Sequence, residues 1–386
     1  MPTAGGKHLR IKSMEAFPIS MPIKDGARLS IGRATKRDSV VVRVETEDGI
    51  VGYGESHHAR APNITAAIVN TTLQDIILPA NAEDITGIWA RVYHWQLRSH
   101  GLGAAMAMAM SGIDMALWDI AGKAAGKPLH VLLGSEGRPI KAYAGGVALG
   151  WQEPESLVDE AAPLIEAGFK AVKLRMGDAA ERDIARVRAV RAAFGDGLAI
   201  MLDANTGYDL DDARRVIPAF EELGVVWLEE PFPPHDWASY AKARQMGNVP
   251  LAAGENHYTR FEFSRLFEER LVEYVQADLS KAGGVTEAMR IAHTASTWKI
   301  PFCPHSSMTG LNMAASIHLL MAVDNAGYFE ADVSKNNLFR TELTPDPYRL
   351  HADGTVTLTS DAPGIGLDVD EGFVRRHGYQ PGRNFV

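Results

Sequence analysis

The sequence predicts an α/β protein, a modified (β/α)8 barrel that carries an N-terminal α+β capping domain. The chain has 386 residues, a length that suits a barrel of this kind together with one smaller domain. From about residue 140 onward, short apolar runs alternate with amphipathic helical segments, which is typical of parallel βα units. The opening third instead begins with strand patterns and continues with helical ones, which is typical of an α+β domain.

The same patterns divide the chain into three segments. Residues 1–135 are expected to form the capping domain, because Ser39–Glu45 and Ile50–Gly54 have the pattern of a β-hairpin that helical segments follow. Residues 136–350 are expected to form the barrel. Residues 351–386 leave the βα pattern, and we expect them to pack back on the capping domain.

Composition and charge exclude several classes of partner. The formal net charge is −9, which argues against a binder of nucleic acids or anionic membranes, because those partners require a basic face. The single cysteine, Cys303, excludes an internal disulfide and a thiolate metal cluster. The first residues lack the apolar core of a signal peptide, and Ala104–Ile120, interrupted by aspartates, is expected to be a buried helix. We therefore expect a cytoplasmic protein with no nucleic-acid or membrane partner.

Each predicted barrel strand ends in one ionisable residue. These residues recur every 23 to 30 positions, which is the length of one βα unit. Because the C-terminal ends of barrel strands meet at one mouth, where barrel enzymes keep their catalytic groups, we expect the side chains to face a common site. The seven residues are Lys173, Asp203, Glu229, Glu255, Asp278, His305 and Glu330.

Three of these residues are carboxylates on consecutive strands, and they predict a metal site. Asp203, Glu229 and Glu255 would repel one another if they stood together without a cation. An all-oxygen ligand set favours Mg²⁺, with Mn²⁺ as the alternative, over zinc. The competing interpretation is that one or two of these acids form structural salt bridges with Lys or Arg. Glu230, next to Glu229, is expected to point to the other face of its strand as a structural partner.

Four other residues at the mouth are candidates for acid–base and substrate-carboxylate roles. If Asp278 and His305 both face the mouth, the carboxylate can orient the imidazole and raise its basicity. Lys173 and Arg175 lie two apart on one strand, so both should point into the barrel, bind a carboxylate and lower each other's pKa. Arginine cannot act as a base, because it does not deprotonate in practice.

Glu330 has two open interpretations. A protonated Glu330 could donate a hydrogen bond to a developing oxyanion. An ionised Glu330 could instead pair with Lys or Arg.

The barrel motifs keep a fixed order along the chain, and in combination they resemble the mandelate racemase group of the enolase superfamily. The likeness extends over nearly the whole chain, since Ser111–Gly126 is similar to the helix that leads into that family's barrel. Gly52–Glu55 is similar to the hairpin of its capping domain. The barrel motifs are Lys173-x-Arg175, Asp203-Ala204-Asn205, Glu229-Glu230-Pro231, Gly254-Glu255-Asn256, Asp278-Leu279-x-Lys281, Pro304-His305 and Glu330.

The resemblance implies a shared first step. Mg²⁺ held by the three carboxylates would bind a substrate carboxylate with help from Lys173, and His305 with Asp278 would serve as an acid–base group. Glu330 would stabilise the enediolate as a hydrogen-bond donor. Loops of the capping domain, near Pro22–Arg37 and Gly54–Arg60, would set specificity. The family often forms octamers of paired dimers, so a homo-oligomer is expected.

Arg175 departs from the racemases of this group, which carry a second lysine at that position as the base on the opposite face of the substrate. Racemisation requires two bases, whereas dehydration can proceed with one histidine. We therefore expect a hydro-lyase that converts an acid sugar, an aldonate or an aldarate, to a 2-keto-3-deoxy acid. Polar contacts to the sugar hydroxyls are expected from His57, His58, Arg60 or Asn205.

Three alternatives stay open. A racemase or epimerase of a 2-hydroxy acid would need a second base. A cycloisomerase of a lactone or muconate-like acid usually has a lysine where Asp278 stands, and Lys281, three residues further on, is expected to be structural. A non-enzymatic binding protein on this scaffold would need neither His305 nor a metal.

Overall fold

The computed structural model describes residues 9–99 and 103–386. The capping domain begins with a three-stranded antiparallel sheet in the order β1-β4-β5. Its predicted hairpin is confirmed by β4 and β5, which pair from Val40–Ser56 to Glu45–Val51. The strands of this domain are β1 (Ile11–Pro22), β2 (Arg28–Leu29), β3 (Gly32–Arg33), β4 (Lys36–Thr46) and β5 (Val51–Ser56).

Helices cover one face of this sheet. The longest, α4, crosses β5 so closely that a Cβ added at Gly52 or Gly54 would lie about 2 Å from the backbone oxygens of Ala116 or Gly112. Two glycines therefore permit this packing. The helices are α1 (Pro62–Ile68), α2 (Gln74–Ile77), α3 (Ile85–Val92), α4 (Ala104–Ala125) and α5 (Leu129–Leu132), with π-helical turns at Val69–Leu73 and Tyr93–Leu97.

Helix α4 is the one described helix long and apolar enough to cross a membrane by length and composition. Of that apolar stretch, 72% is buried inside the protein. Met110, Ile113 and Leu117 pack with β4 residues in the core of the capping domain. As the sequence predicted, α4 is a core helix.

The barrel consists of parallel strands that close into a ring. From β6 to β11 each strand pairs with its successor, and β12 returns to pair with β6 through Phe329–Ala142 to Asp332–Gly145. The strands are β6 (Ile140–Gly145), β7 (Ala171–Arg175), β8 (Ala199–Asp203), β9 (Trp227–Glu229), β10 (Leu251–Ala253), β11 (Tyr274–Val275) and β12 (Phe329–Asp332).

The seventh strand position is reduced to a bridge. Phe302 bridges Val275 on one side and Ala326 on the other, in parallel orientation. Pro301 and Pro304 flank this bridge and lack the amide hydrogens that a longer ladder would need. His305 therefore follows an irregular segment rather than a full strand.

Crossover helices surround the barrel, and each returns the chain to the bottom of the next strand. Their apolar faces pack against outward-facing strand residues such as Val172, Leu174, Ile200 and Leu228. The helices are α6 (Pro154–Glu166), α7 (Ala180–Phe194), α8 (Leu210–Glu222), α9 (Trp237–Ala243), α10 (Thr259–Glu268), α11 (Gly284–Thr297) and α12 (Gly310–Ala322).

The last part of the chain contacts both the barrel and the capping domain. Its elements are α13 (Leu338–Thr341), β13 (Tyr348–Leu350), β14 (Thr355–Leu358) and α14 (Glu371–Arg376). Strand β14 pairs antiparallel with β6 of the barrel, while Phe373 of α14 packs in a cluster with Ile19 and Val41 of the cap sheet. The division at residues 135/136 and 350/351 stays a prediction.

Candidate active site

A pocket of about 340 Å³ lies at the C-terminal end of the barrel strands, between the barrel and the capping domain. The barrel lines it with charged and polar side chains, and the capping domain adds Leu29, Ile31 and Met108 from its own loops and helix. Among the predicted site residues, those that line this pocket are Arg175, Asn205, Glu255, His305, His57, His58 and Arg60.

Strand alternation explains why three further predicted residues, Lys173, Asp203 and Glu229, point into the barrel below the pocket. Ala171, Met201 and Trp227 form a cluster inside the barrel, and residues two further along a strand face the same side. Lys173, Asp203 and Glu229 occupy those positions and are fully buried. The barrel interior thus forms an apolar floor beneath a charged layer.

Lys173 is an ion-pair centre of this layer. Its Nζ lies 3.0 Å from Glu229 Oε2, 3.0 Å from Glu330 Oε1 and 3.5 Å from Asp203 Oδ2. Burial by itself lowers the pKa of Lys173, but the attraction of these three carboxylates outweighs it and raises the pKa. Arg175 lowers the pKa of Lys173, as the sequence predicted, but the three carboxylates outweigh this contribution, so Lys173 is a fixed cation.

Arg175 is held by three acceptors. Its Nη1 contacts Asp203 Oδ2 and lies 3.3 Å from Asn205 Oδ1, and its Nη2 donates to the backbone oxygen of Gly146. Burial opposes its charge, but Asp203 and the nearby glutamates raise the pKa of the guanidinium. Arg175 stays charged and is oriented toward Asp203, so it cannot accept a proton from a substrate.

His305 and Asp278 form a buried pair. His305 Nδ1 lies 2.6 Å from Asp278 Oδ2, while Asp278 Oδ1 accepts hydrogen bonds from the amide and hydroxyl of Ser280, each at 2.7 Å. Asn312 Nδ2 donates to the same oxygen at 3.0 Å. Asp278 therefore fixes the orientation of the imidazole, and Nε2 is left to face the mouth of the barrel.

The Nε2 atom of His305 lies near two further carboxylates. It lies 2.8 Å from Glu255 Oε2 and 3.9 Å from Glu330 Oε2. Burial lowers the pKa of His305, but the charges of Glu255 and Glu330 outweigh burial and raise it to about 10. In this arrangement His305 carries a positive charge. A metal ion or a substrate that displaced Glu255 from Nε2 would remove the main cause of the raised pKa, and His305 could then act as a base.

Glu330 is anchored by backbone amides as well as by Lys173. Its Oε1 accepts from Gly146 N at 3.0 Å, and its Oε2 accepts from Ser306 N at 3.2 Å. Burial raises the pKa of Glu330, but Lys173 and His305 outweigh burial and lower it to about 2. The structure therefore has the ionised, paired form of Glu330, the second of the two interpretations.

Each carboxylate of the predicted metal triad has a cationic partner. Asp203 pairs with Arg175, Glu229 with Lys173, and Glu255 with His305 and, at 3.7 Å, with Lys281. Within residues 9–99 and 103–386, no three His, Cys, Asp or Glu side chains stand close enough together to hold a metal ion. The side chains thus adopt the salt bridges that the competing interpretation described.

The charge balance of the mouth nevertheless fits a hard divalent cation. Burial and the charge of Asp203 raise the pKa of Glu229 to about 7 despite Lys173. The Oε1 atom of Glu230 is buried without a hydrogen-bond partner among the described residues. The mouth contains six acidic side chains and three permanently charged basic ones. The acidic residues are Asp203, Glu229, Glu230, Glu255, Asp278 and Glu330, and the basic residues are Lys173, Arg175 and Lys281. Oxygen donors in excess of cations are the ligand set that Mg²⁺ and Mn²⁺ take.

Two pocket residues were misplaced by the sequence interpretation. Glu230 was expected on the other face of its strand, but β9 ends at Glu229 and Glu230 has a left-handed φ of 40°. It lines the pocket, where Asn256 Nδ2 donates to its Oε2 at 2.7 Å. Lys281 was expected to be structural, but it also lines the pocket. Alternation predicts direction only inside a strand. The sequence signal that could have marked both residues is their place in the motifs Glu229-Glu230-Pro231 and Asp278-Leu279-x-Lys281.

The predicted substrate contacts lie around the same pocket. His57 and His58 stack with ring centroids 4.1 Å apart, and burial lowers the pKa of both imidazoles. They are therefore neutral groups that can donate and accept hydrogen bonds. Arg60 lies exposed at the rim, and Asn205 accepts from Arg175 at 3.3 Å.

Two family models match the chain. The family described as Enolase C-terminal domain-like matches residues 156–373, and the family described as Mandelate racemase / muconate lactonizing enzyme, N-terminal domain, matches residues 13–134. Among curated relatives, the arabinonate dehydratase of Saccharolobus solfataricus is 33% identical over 86% of this chain and 88% of its own length. The D-galactarolactone cycloisomerase of Agrobacterium fabrum is 31% identical over 88% of this chain and 90% of its own length.

Solved structures show the same fold throughout. An enolase-superfamily member from Polaromonas sp. JS666 is 49% identical, covers 98% of this chain and 100% of its own, and superposes with a TM-score of 0.95. A racemase from Streptomyces coelicolor with bound magnesium is 27% identical, covers 96% of this chain and 100% of its own, and has a TM-score of 0.87. The chain therefore belongs to the mandelate racemase/muconate lactonizing enzyme family of the enolase superfamily, whose fold is a capping domain on a parallel β/α barrel.

Proposed function

We propose that the protein is a Mg²⁺-dependent hydro-lyase that dehydrates an acid sugar, an aldonate or an aldarate, to a 2-keto-3-deoxy acid. The observation that carries this proposal is the pairing of His305 Nδ1 with Asp278 at 2.6 Å, which directs Nε2 into the mouth. The name of a relative at 33% identity, an arabinonate dehydratase, supports the same reaction class.

The metal would be held by Asp203, Glu229 and Glu255. When bound, Mg²⁺ or Mn²⁺ supplies a Lewis acid for the substrate carboxylate. Lys173, a permanent cation 3.0 Å from Glu229, would pair with the same carboxylate. Glu330, ionised and 3.0 Å from Lys173, would keep that lysine charged and in place beside the substrate carboxylate.

His305 would move the proton. Its Nε2 takes the α-proton of the substrate while Asp278 holds the imidazolium that forms. His305 then returns that proton to the β-hydroxyl, which leaves as water, and the resulting enol becomes the 2-keto-3-deoxy acid. Arg175 favours this course over racemisation, because its pairing with Asp203 leaves it unable to serve as the opposing base.

A cycloisomerase is the second candidate. Lys281 lines the pocket, with its Nζ 3.7 Å from Glu255 Oε1, and a lysine near this strand end is the feature that such enzymes would use. A relative at 31% identity is a D-galactarolactone cycloisomerase. A racemase or epimerase of a 2-hydroxy acid is disfavoured by Arg175.

The polar contacts to the sugar would come from His57, His58, Arg60 and Asn205, which surround the pocket. We also propose a cytoplasmic location and a homo-oligomeric assembly of paired dimers, with a small carboxylate as the sole class of substrate. Size-exclusion chromatography with light scattering measures that assembly, and a monomer at micromolar concentration would refute it.

A screen of acid sugars with Mg²⁺ tests the reaction. Pentonates, hexonates and aldarates are incubated with the protein, and semicarbazide detects 2-keto-3-deoxy products. We expect at least one acid to be converted, and no conversion after chelation. Failure across all three groups would refute the dehydratase, and a lactone that opens or forms without a semicarbazone would support the cycloisomerase instead.

A further inference from the structure

The last residues of the sequence run alongside the loop that overhangs the pocket. We call residues 380–386 the strap and residues 23–35 the cap loop. Ala34 and Phe385 form an antiparallel bridge. The amide of Arg33 donates to Val386 O at 2.7 Å, and the amide of Val386 donates to Arg33 O at 3.0 Å. The strap therefore adds a short strand to the cap loop.

The strap is anchored beneath this strand by a buried side chain. Asn384 is 4% exposed, and its Nδ2 donates to Asp38 Oδ2 at 3.0 Å. Its backbone oxygen accepts from Thr35 N at 2.8 Å. Asp38 is itself fixed by Ser20 Oγ at 2.7 Å and Lys36 Nζ at 3.0 Å. These contacts hold the strap at one place on the capping domain.

The cap loop is fastened on its other side to the barrel. Ser30 Oγ donates to the backbone oxygen of Asn205 at 2.7 Å, and Trp151 N donates to Arg28 O at 2.8 Å. Between the two fastenings, Leu29 and Ile31 reach the pocket. The strap and the barrel thus hold this loop from opposite sides.

The strap also contributes directly to the pocket. The side chain of Phe385 lines it together with Leu29 and Ile31. The guanidinium of Arg60 lies over the Phe385 ring, 5.3 Å from its centroid, which is the geometry of a cation–π contact. One side of the pocket is therefore an apolar wall formed by two segments distant in sequence, opposite the charged residues of the barrel.

We propose that Phe385 is a specificity-determining residue that sets the chain-length limit of the acid substrate, and that the strap holds this wall in place. The inference rests on the proposed dehydration. The carboxylate end of the substrate is bound by the barrel residues, so the far end of its carbon chain meets the wall that Phe385 completes. A ring at that position limits the room for further carbons, since filled pockets discriminate strongly against added atoms.

Substitution of the ring tests the chain-length limit. A series of five-, six- and seven-carbon acids is assayed, all sharing the C2 and C3 configuration of the converted substrate. We expect Phe385→Ala to shift the ratio of kcat/KM toward the longer acid by at least about tenfold. The shift should come mainly from a lower KM for the longer acid, with kcat changed less.

Two variants control this test. Phe385→Leu keeps an apolar side chain and should shift the ratio in the same direction but less. Val386→Ala shortens a side chain that is 70% exposed and leaves the backbone bonds in place, so it should keep the wild-type ratio. An unchanged ratio in Phe385→Ala, with dehydration intact, would overturn the inference and leave the proposed function standing.

A second readout does not depend on turnover. Arg28 and Arg33 are exposed trypsin sites in the cap loop. Asn384→Ala removes the anchor to Asp38, and we expect trypsin to cut at these arginines at least about fivefold faster than in wild type. Equal rates would overturn the role of the strap. If the wild-type protein converts no acid sugar, the proposed function fails while this proteolysis result still decides the strap.

Discussion

Arg175 forms an ion pair with Asp203. Asp203 is a predicted metal ligand, and Arg175 occupies the position from which a second base would face His305 across the substrate. The guanidinium also reaches Asn205 Oδ1 at 3.3 Å and the backbone oxygen of Gly146. A lysine has one ammonium group and cannot match this planar set of contacts. The arginine therefore organises the charged layer and, in the proposed reaction, keeps the second face of the substrate without a base.

The substitution Arg175→Lys tests that role. We expect dehydration to fall by at least about tenfold, because the fixed contacts to Asp203 and Gly146 are lost. We also expect the variant to begin to epimerise recovered substrate at C2, because lysine can exchange a proton. NMR of recovered substrate in D₂O measures both effects.

A matched control for this change lies outside the pocket. Arg186 is 6% exposed and pairs with Asp183 at 2.7 Å and Asp178 at 2.9 Å. Arg186→Lys should perturb stability without epimerisation. If the wild-type protein already epimerises its substrate, Arg175 does not exclude racemisation, and the preference for dehydration loses its support.

Replacement of His305 by Asn should remove the proton-transfer step. We expect kcat to fall by about 10² to 10⁴-fold, the usual contribution of a positioned acid–base group. α-Hydrogen exchange in D₂O should fall by the same factor, because His305 acts before the β-hydroxyl leaves. Circular dichroism checks the fold of the variant, and His293→Asn, at an exposed position, is the control. Exchange that persists in His305→Asn would assign the base to another residue.

Mg²⁺ binding should stabilise the fold measurably. A ligand that binds only the folded state adds about 2.7 kcal/mol to the free energy of unfolding at a concentration of 100 times its Kd. We expect Mg²⁺ to raise the Tm of wild type relative to EDTA, and to raise it much less in Glu255→Gln, which removes one oxygen anion from the triad. Glu262→Gln, half-buried on α10, is the control. An equal rise in Glu255→Gln would remove Glu255 from the metal site.

The sequence alone predicts the position of a site residue wherever that residue belongs to the regular βα repeat of the barrel. Alternation along β7 predicted that Lys173 points into the barrel, and the structure has Lys173, Asp203 and Glu229 there, two residues beyond Ala171, Met201 and Trp227. The recurrence of strand ends predicted that these side chains share one mouth. Both inferences depend only on local geometry that the barrel repeats.

The remaining features depend on contacts that no repeat encodes. Glu230 lines the pocket because β9 ends at Glu229, so Glu230 is outside the strand and does not follow its alternation. Phe385 arrives from the far end of the sequence through backbone hydrogen bonds to the cap loop. Which cation pairs with which carboxylate is also decided by three-dimensional packing, and the Arg175–Asp203 pair has no local sequence signal.

His318 predicts a loss of stability in acid that is independent of the active site. It is fully buried and stacks on His130 with ring centroids 5.2 Å apart. Its Nδ1 accepts from His130 N at 3.1 Å, and its Nε2 lies 3.2 Å from Ile365 O. Burial, opposed in part by the carbonyl of Ile365, lowers its pKa to about 3 from an ordinary 6.5.

Because the pKa of His318 is lower in the folded state, the unfolded chain takes up this proton first as the pH falls. The stability that the neutral imidazole supports is present above pH 6.5 and is lost as the pH falls toward about 3. At pH 5 the loss relative to neutral pH should be about 2 kcal/mol.

Urea unfolding of wild type and His318→Gln at pH 7.5 and 5 measures this loss, because the contributions of other titrating groups cancel in the comparison. We expect the glutamine variant to lose less stability than wild type by this amount, with His293→Gln as the control. Parallel losses in His318→Gln and wild type would show that His318 is not the group responsible.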